Sequence, residues 1–378
     1  MSSFLIENKQ KKTLEDKIST RSLRTQEIFK TTQKSFETFC NEYYEGRTSD
    51  DLFDELLKIP KSEINDVVFD IFQNWIDWNY QKNILTSTLK VYFSKLKVIF
   101  HHKGFRIHPQ DIQDNLVWKK KIREELHALQ IEEIQKIFSV AKPQKLGFYL
   151  ALISTGARPG ELLQSKKRDF DTSNSRVKIT IHPEGTKTRA GRSVYLTTEA
   201  SNHILPILEN LDDDDLVFTK LHNPSNAEKT ESKTFSRYCD IAGFTERYHS
   251  NNYRKITLYS FRSFFYGKCA DIHREGYAHK MIGHGGYLPQ YDRMSDEQKI
   301  GWFVKVEPQL TVDQSAKYKL ELEATLKESS STKEEVRKLT KMVQRLQNSV
   351  PRSIRNGRNW PIMGLRNSIH VCIFHYYK

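Results

Sequence analysis

The chain has 378 residues, with 60 Lys+Arg against 47 Asp+Glu, a formal net charge of +13 and a pI near 9.3. At 37% hydrophobic and 11% aromatic residues, with only 16 Gly and 11 Pro, it can build packed cores and is not a disordered chain throughout. Its length suits roughly two or three domains and its charge favours a polyanionic partner.

The first part of the chain reads as helices. Phe29, Thr32, Phe36, Phe39 and Tyr43 recur at helical spacing, and Ile64 to Tyr80 repeats the pattern through Val68, Phe72, Trp75 and either Trp78 or Asn79. A third helix is expected from Thr86, taken as its cap, with Leu89, Phe93, Leu96 and Phe100 inward and Gly104 as its end. These helices make a domain over residues 1–108, and the Pro- and Lys-containing stretch 109–125 reads as a basic linker.

A second domain is expected over residues 126–312. It opens on a helix with Ile131, Ile134, Ile137 and Phe138, and an apolar helix from Leu146 to Thr155 then runs into the turn G-A-R-P-G-E-L. Val177, Ile179 and Ile181 alternate with polar residues, and Val194 and Leu196 resume after H-P-E-G-T-K-T-R-A-G-R, which predicts a long β-hairpin. Helices return beyond Leu205, interrupted by the acidic run Asp212 to Asp215 and a polar loop around Asn223 to Lys233. Residues 313–350 read as a helix whose Val336, Leu339, Val343, Leu346 and Val350 keep heptad spacing, as in a short coiled coil or a locally docked tail. The tail 351–378 holds five basic residues and no acidic one, and no pattern gives it a role.

Several chemistries have no sequence support. The phosphate-binding loop, the dinucleotide glycine fingerprint, H-E-x-x-H and G-x-S-x-G are all missing. No apolar run approaches the ~20 residues of a membrane helix, and residues 1–13 lack a secretory core, so a cytoplasmic protein with no membrane partner is expected. Cys40, Cys239, Cys269 and Cys372 form no C-x-x-C pair and read as reduced structural thiols.

Breaking a phosphodiester without a metal needs cations on the non-bridging oxygens, a donor for the leaving oxygen and a nucleophile. Guanidinium suits the first task because its planar fork bonds two oxygens and stays charged. Candidates occur in order: Arg158 in T-G-A-R-P-G-E-L, Lys187 in T-K-T-R, Arg262 ending Y-S-F-R, His284 in G-H, and Tyr291 in Q-Y-D-R. Arg262 precedes His284 by 22 positions and Tyr291 follows by 7.

Over Ile131 to Val312 this order resembles the tyrosine recombinases, the phage-type integrases and Xer-like recombinases. The stretch Q-Y-D-R-M-S-D-E-Q-K looks most like their archaeal and archaeal-virus branch. The resemblance implies a mainly α fold with a small β-hairpin or sheet, arranged as a two-domain DNA clamp: a helical core-binding domain plus a catalytic domain. It implies double-stranded DNA as partner, a homotetramer on synapsed sites, and neither metal nor cofactor. Tyr291 would attack the scissile phosphate, Arg158 and Arg262 would hold its oxygens, His284 would add a hydrogen bond, and Lys187 would protonate the leaving oxygen. Glu161 would buttress Arg158. Lys90, Lys95, Lys97, Lys119, Lys120, Lys121 and Arg189 are candidate DNA contacts, supplying affinity rather than sequence discrimination.

Two departures from the family pattern stand out. Tyr259 occupies the usual His position of H-x-x-R, where a phenol is a poor base at neutral pH but can still hydrogen-bond a phosphate. Tyr287, only three positions past His284, rivals Tyr291 as nucleophile, and Tyr291 is preferred for its Y-x-R context. A catalytically silent DNA-binding relative and a type IB topoisomerase-like enzyme are the alternatives.

Overall fold

The computed structural model describes residues 13–60, 62–186, 190–284 and 294–349. The chain divides into two units, Met1–Leu126 with Arg247–Tyr253, and His127–Glu246 with Arg254–Lys378. The described residues are mainly helical, with one three-stranded antiparallel sheet.

The first unit contains α1 (Leu14–Ser19), α2 (Leu23–Tyr43), α3 (Ser49–Leu56), α4 (Ile64–Gln81), α5 (Thr86–His102) and α6 (Pro109–Asn115). Ser22 and Thr48 start α2 and α3 by accepting the N–H groups of Thr25 and Asp51. The inward stripes meet in an aromatic core that includes Phe36, Phe39, Phe72, Trp75 and Phe100. Burying each such ring contributes about 1.5–3 kcal/mol.

Some sequence readings need correction here. Tyr43 is 50% exposed, stacked on Phe39, and Cys40 takes the buried place at that end of α2. Asn79 points inward and donates to the Trp75 carbonyl, whereas the Trp78 indole N–H donates to Glu42. Thr86 is the first helical residue of α5, and its cap is Leu85. The Thr86 hydroxyl donates instead to the Lys119 carbonyl at 3.2 Å. Gly104, at φ +107, does follow the end of α5. The stretch read as linker contains α6, started by Pro109 with His108 as cap.

The second unit runs through α7 (Ile131–Val140), α8 (Pro143–Thr155), α9 (Pro159–Leu162), β1 (Phe170–Asp171), β2 (Lys178–Ile181), β3 (Arg192–Tyr195), α10 (Thr198–Leu208), α11 (Pro224–Ile241), α12 (Leu258–Ile272), α13 (Glu275–Ile282), α14 (Asp296–Leu310) and α15 (Gln314–Ser349). Helix α8 is buried from Gly147 to Thr155 and packs against α10, α12, α14 and β3. A helix apolar all round is one enclosed by neighbours. The expected hairpin is β2–β3, with Ile179 opposite Val194 and Ile181 opposite Arg192, and the short β1 adds an edge that periodicity did not reveal.

The expected loop at Asn223 to Lys233 is instead the first half of α11. Asn223 accepts the Asn226 N–H and Pro224 sits at the first helical position. Along α15, Val336 and Leu339 are exposed, 56% and 62%. Val350, the tail 351–378 and Cys372 lie outside the described residues, as do the side chains of Val343 and Leu346. Cys40, Cys239 and Cys269 are buried free thiols, and burial pushes those of Cys40 and Cys239 up to about 12. No helix among the described residues is long and apolar enough to cross a membrane.

Candidate active site

Each residue of T-G-A-R-P-G-E-L has a local task. Gly156 ends α8 in the left-handed region at φ +58, and a Cβ there would lie 2.3 Å from the Phe265 ring. Ala157 is fully buried, so the chain turns sharply through the core and delivers Arg158 to its edge. Pro159 starts α9, and Glu161 bonds back to the Arg158 N–H at 3.0 Å while its other oxygen takes the Arg158 guanidinium at 2.6 Å. The expected buttress is therefore present. Leu162 anchors the turn in the core.

Helix α12 supplies the next pair. Leu258, Phe261 and Phe265 face the core, and the three-residue spacing sets Tyr259 and Arg262 one turn apart on neighbouring surface. Arg262 is buried and its Nη1 donates to the Gly156 carbonyl at 2.8 Å, two residues before Arg158. Burial first, then the neighbouring charges of Arg158 and Arg192, lower its guanidinium to about 10, still charged at neutral pH. Tyr259 donates its hydroxyl proton to Glu228 at 2.9 Å. Partial burial, followed by Glu228, pushes that phenol up to about 12, so it is a hydrogen-bond donor at neutral pH and not a base.

Two residues escaped the sequence reading. Arg192, the first residue of β3, donates from Nη2 to Glu161 at 2.7 Å and from Nε to the Met281 carbonyl at 2.9 Å. In sequence it is only the polar member of an alternating strand, and nothing but its burial against Glu161 distinguishes it. Glu228 lies on α11, in the segment mistaken for a loop, which hid its placement beside Tyr259. Burial raises the Glu161 carboxyl, but Arg192 and Arg158 together outweigh that and hold it below the usual carboxylate range.

Helix α13 ends at Gly283, φ +69, with the His284 N–H bonding back to the His279 carbonyl at 3.0 Å. This helix C-terminus presents an exposed His284. Partial burial, then Arg262, His279, Arg158 and Arg192, lower the His284 pKa. Arg158, Arg192 and Arg262 thus form one positive cluster around Glu161, with His284 beside the arginines. Within it the buried Arg262 Nη2 and Arg192 Nη1 have no hydrogen-bond partner among the described residues. A buried donor left unsatisfied costs about 1–3 kcal/mol, so the arrangement suits an anion that would accept from it.

Lys187, Arg189, Tyr287 and Tyr291 lie outside the described residues; Thr186 and Ala190, which flank the first two, are joined by an Ala190 N–H donating to Thr186 Oγ1 at 3.0 Å. In the other unit Lys90, Lys95, Lys97 and Lys119 each hold their ammonium over a ring, of Trp118, Phe29, Phe93 and Tyr80 respectively. Lys120 and Lys121 are exposed. Lys95 projects about 140° round α5 from Lys90, so the three α5 lysines do not share one face. Among the described residues no group of three or more His, Cys, Asp or Glu could hold a metal ion.

A model of the phage integrase family matches residues 126–261. No curated protein matches the chain by sequence. Among solved structures, a lambda integrase(75-356) dimer bound to a COC' core site is 16% identical, with TM-score 0.45, over 71% of this chain and 98% of that one. The Tn1549 transposon integrase (aa 82-397) with circular intermediate DNA is 14% identical, TM-score 0.44, over 73% and 99%. XerH recombinase bound to its difH substrate is 17% identical, TM-score 0.41, over 62% and 69%.

Proposed function

We propose that the chain is a site-specific DNA recombinase that cuts and rejoins duplex DNA through a covalent 3′-phosphotyrosine. One observation carries the reading: a buried guanidinium N–H of Arg262 with no hydrogen-bond partner among the described residues, in a cluster that also holds Arg158, Arg192 and His284. Such donors, fixed before the substrate arrives, stabilise charge as it develops on a phosphoryl oxygen. Arg158 and Arg262 would bond the two non-bridging oxygens and neutral His284 would donate a further hydrogen bond. Tyr259 adds its phenol once a phosphate oxygen competes with Glu228.

The Tyr291 oxygen would form the O–P bond as the P–O5′ bond breaks, its hydroxyl proton passing to solvent while Lys187 gives a proton to the leaving 5′-oxygen. The bond energy stays in the phosphotyrosine, and attack by a 5′-hydroxyl reverses the step. Lys90, Lys95, Lys97, Lys119, Lys120, Lys121 and Arg189 would neutralise DNA phosphates. Family resemblance extends the proposal to a homotetramer acting on two DNA sites.

Nicked duplexes of randomised sequence test the reading. After incubation, SDS denaturation and recovery of covalently bound DNA, the wild type should enrich one class of site and Arg262→Ala should recover none. Specific binding with no adduct from the wild type would instead assign a silent DNA-binding protein. Relaxation of supercoiled plasmid by a monomer, whatever its sequence, would assign a topoisomerase.

A further inference from the structure

The third guanidinium of the cluster lies outside the motif that drew attention to the other two. Arg192 leaves the start of β3 and spends each edge of its fork on a different element. Its Nη2 meets Glu161 Oε2 at 2.7 Å, on the same oxygen that accepts the Arg158 N–H, while Glu161 Oε1 holds the Arg158 guanidinium. Its Nε meets the carbonyl of Met281, three residues before His284. Both members of the Arg192–Glu161 pair are buried, with side chains 8% and 3% exposed. We infer that Arg192 is a positioning residue for the cleavage step, joining the carboxylate that aims Arg158 to the helix end that presents His284.

Geometry makes this role specific to arginine. An ammonium is a point charge and could keep Glu161 or Met281, not both in one plane. Gly283 is fitted to the same guanidinium: a Cβ there would stand 2.7 Å from Arg192 Nη1 and 2.9 Å from its Cζ. With φ at +69, a side chain at 283 is disfavoured twice, by the backbone and by Arg192. One guanidinium therefore sets the distance between two functional groups that come from separate elements. In such sites an ångström of misplacement costs about 100-fold in rate. The inference rests on the recombinase reading.

The test uses the full-length protein and the duplex recovered by the randomised selection, in single turnover. Arg192→Ala should form adduct about 100-fold more slowly with DNA affinity largely kept. Arg192→Lys should be nearly as slow, because charge without the fork does not restore the bridge. Gly283→Ala should also slow cleavage, and adding it to Arg192→Ala should cost less than it does in the wild type, since the contact with Arg192 is already gone and only the backbone cost remains.

A second readout needs no DNA. The charged groups facing His284 are Arg262 on α12, His279 on α13, Arg158 before α9 and Arg192 on β3. NMR titration of the His284 ring should move to higher pH in Arg192→Ala as one positive neighbour is lost. If Arg192→Ala does not fold, Arg192→Lys and Gly283→Ala carry the comparison.

Cleavage by Arg192→Ala or Arg192→Lys as fast as the wild type would overturn the inference. So would a loss confined to DNA binding, or multiplicative effects of Arg192→Ala and Gly283→Ala. A wild type that forms no adduct with any duplex would sink the recombinase reading first, whereas an active wild type matched by Arg192→Ala would sink this inference alone.

Discussion

Three lysines of the N-terminal unit and three arginines of the second unit hold their charge in opposite ways. In the N-terminal unit Lys90, Lys97 and Lys119 rest over aromatic rings at 5.3, 5.5 and 4.5 Å, and none is paired with a carboxylate among the described residues. Each such contact contributes about 0.5–1 kcal/mol and leaves the ammonium able to swing toward a phosphate. In the second unit Arg158, Arg192 and Arg262 are largely buried and cross-tied through Glu161 and the Gly156 and Met281 carbonyls. Burying a charge costs several kcal/mol per ion unless it is paired. A cluster that bears this cost is fixed at one place, whereas lysines on rings stay free to move, and under the proposed function they would add affinity along a DNA backbone.

The largest expected effect is on the buried side of that contrast. Arg262→Ala and Arg158→Ala should each slow adduct formation by about a thousandfold, read on gels, with duplex binding largely retained. A parallel loss of binding would erase the distinction between the two kinds of cation. Glu161→Ala should follow, destabilising the second unit by about 3–5 kcal/mol in urea melts, because it strands two arginines around one cavity. Gly156→Ala should lower stability by about 2 kcal/mol, since its Cβ meets Phe265 at 2.3 Å and the backbone there is left-handed.

On the exposed side, Lys90→Gln should weaken binding to all duplex sequences alike. It should also reduce the slope of log affinity against log salt by about 1. The smallest effect is on pH dependence. The His284 pKa is lowered in the folded protein, so the unfolded chain binds its proton more readily. Its share of stability is then complete above the unfolded value near ~6.5 and falls as pH drops below it. Thermal melts from pH 7 to 5 should show a shallower decline for His284→Gln than for the wild type.

The parts of this picture that sequence made legible are those governed by one strong local rule. Helical spacing placed Phe36, Phe72, Leu89 and Phe100 in a core, strict alternation predicted the hairpin of β2 and β3, and glycines marked the ends at Gly104 and Gly156. Residues governed by tertiary surroundings were misread. Asn223 and Pro224 looked like a loop because cap and turn residues are the same types, and only the helix that follows tells them apart. Between Trp78 and Asn79 the helical pattern left the inward residue open, and Asn79 takes it because the Trp75 carbonyl accepts its amide, a pairing that hydropathy does not encode.

The candidate site divides along the same line. Arg158, Glu161, Tyr259, Arg262 and His284 could be named from motif order, and the structure gathers them around one carboxylate and one α-helical turn. Arg192 and Glu228 carry no motif and gain meaning only from the side chains they meet.

The proposed function turns on one tyrosine, Tyr291, taking the DNA covalently. The direct measurement is proteolysis of the trapped adduct and mass spectrometry of the peptide that carries the nucleotide, repeated on Tyr291→Phe and Tyr287→Phe. The account predicts a 3′-phosphonucleotide on Tyr291, lost in Tyr291→Phe and kept in Tyr287→Phe. An adduct that persists in Tyr291→Phe, or a wild type that binds its site and never forms one, would contradict it.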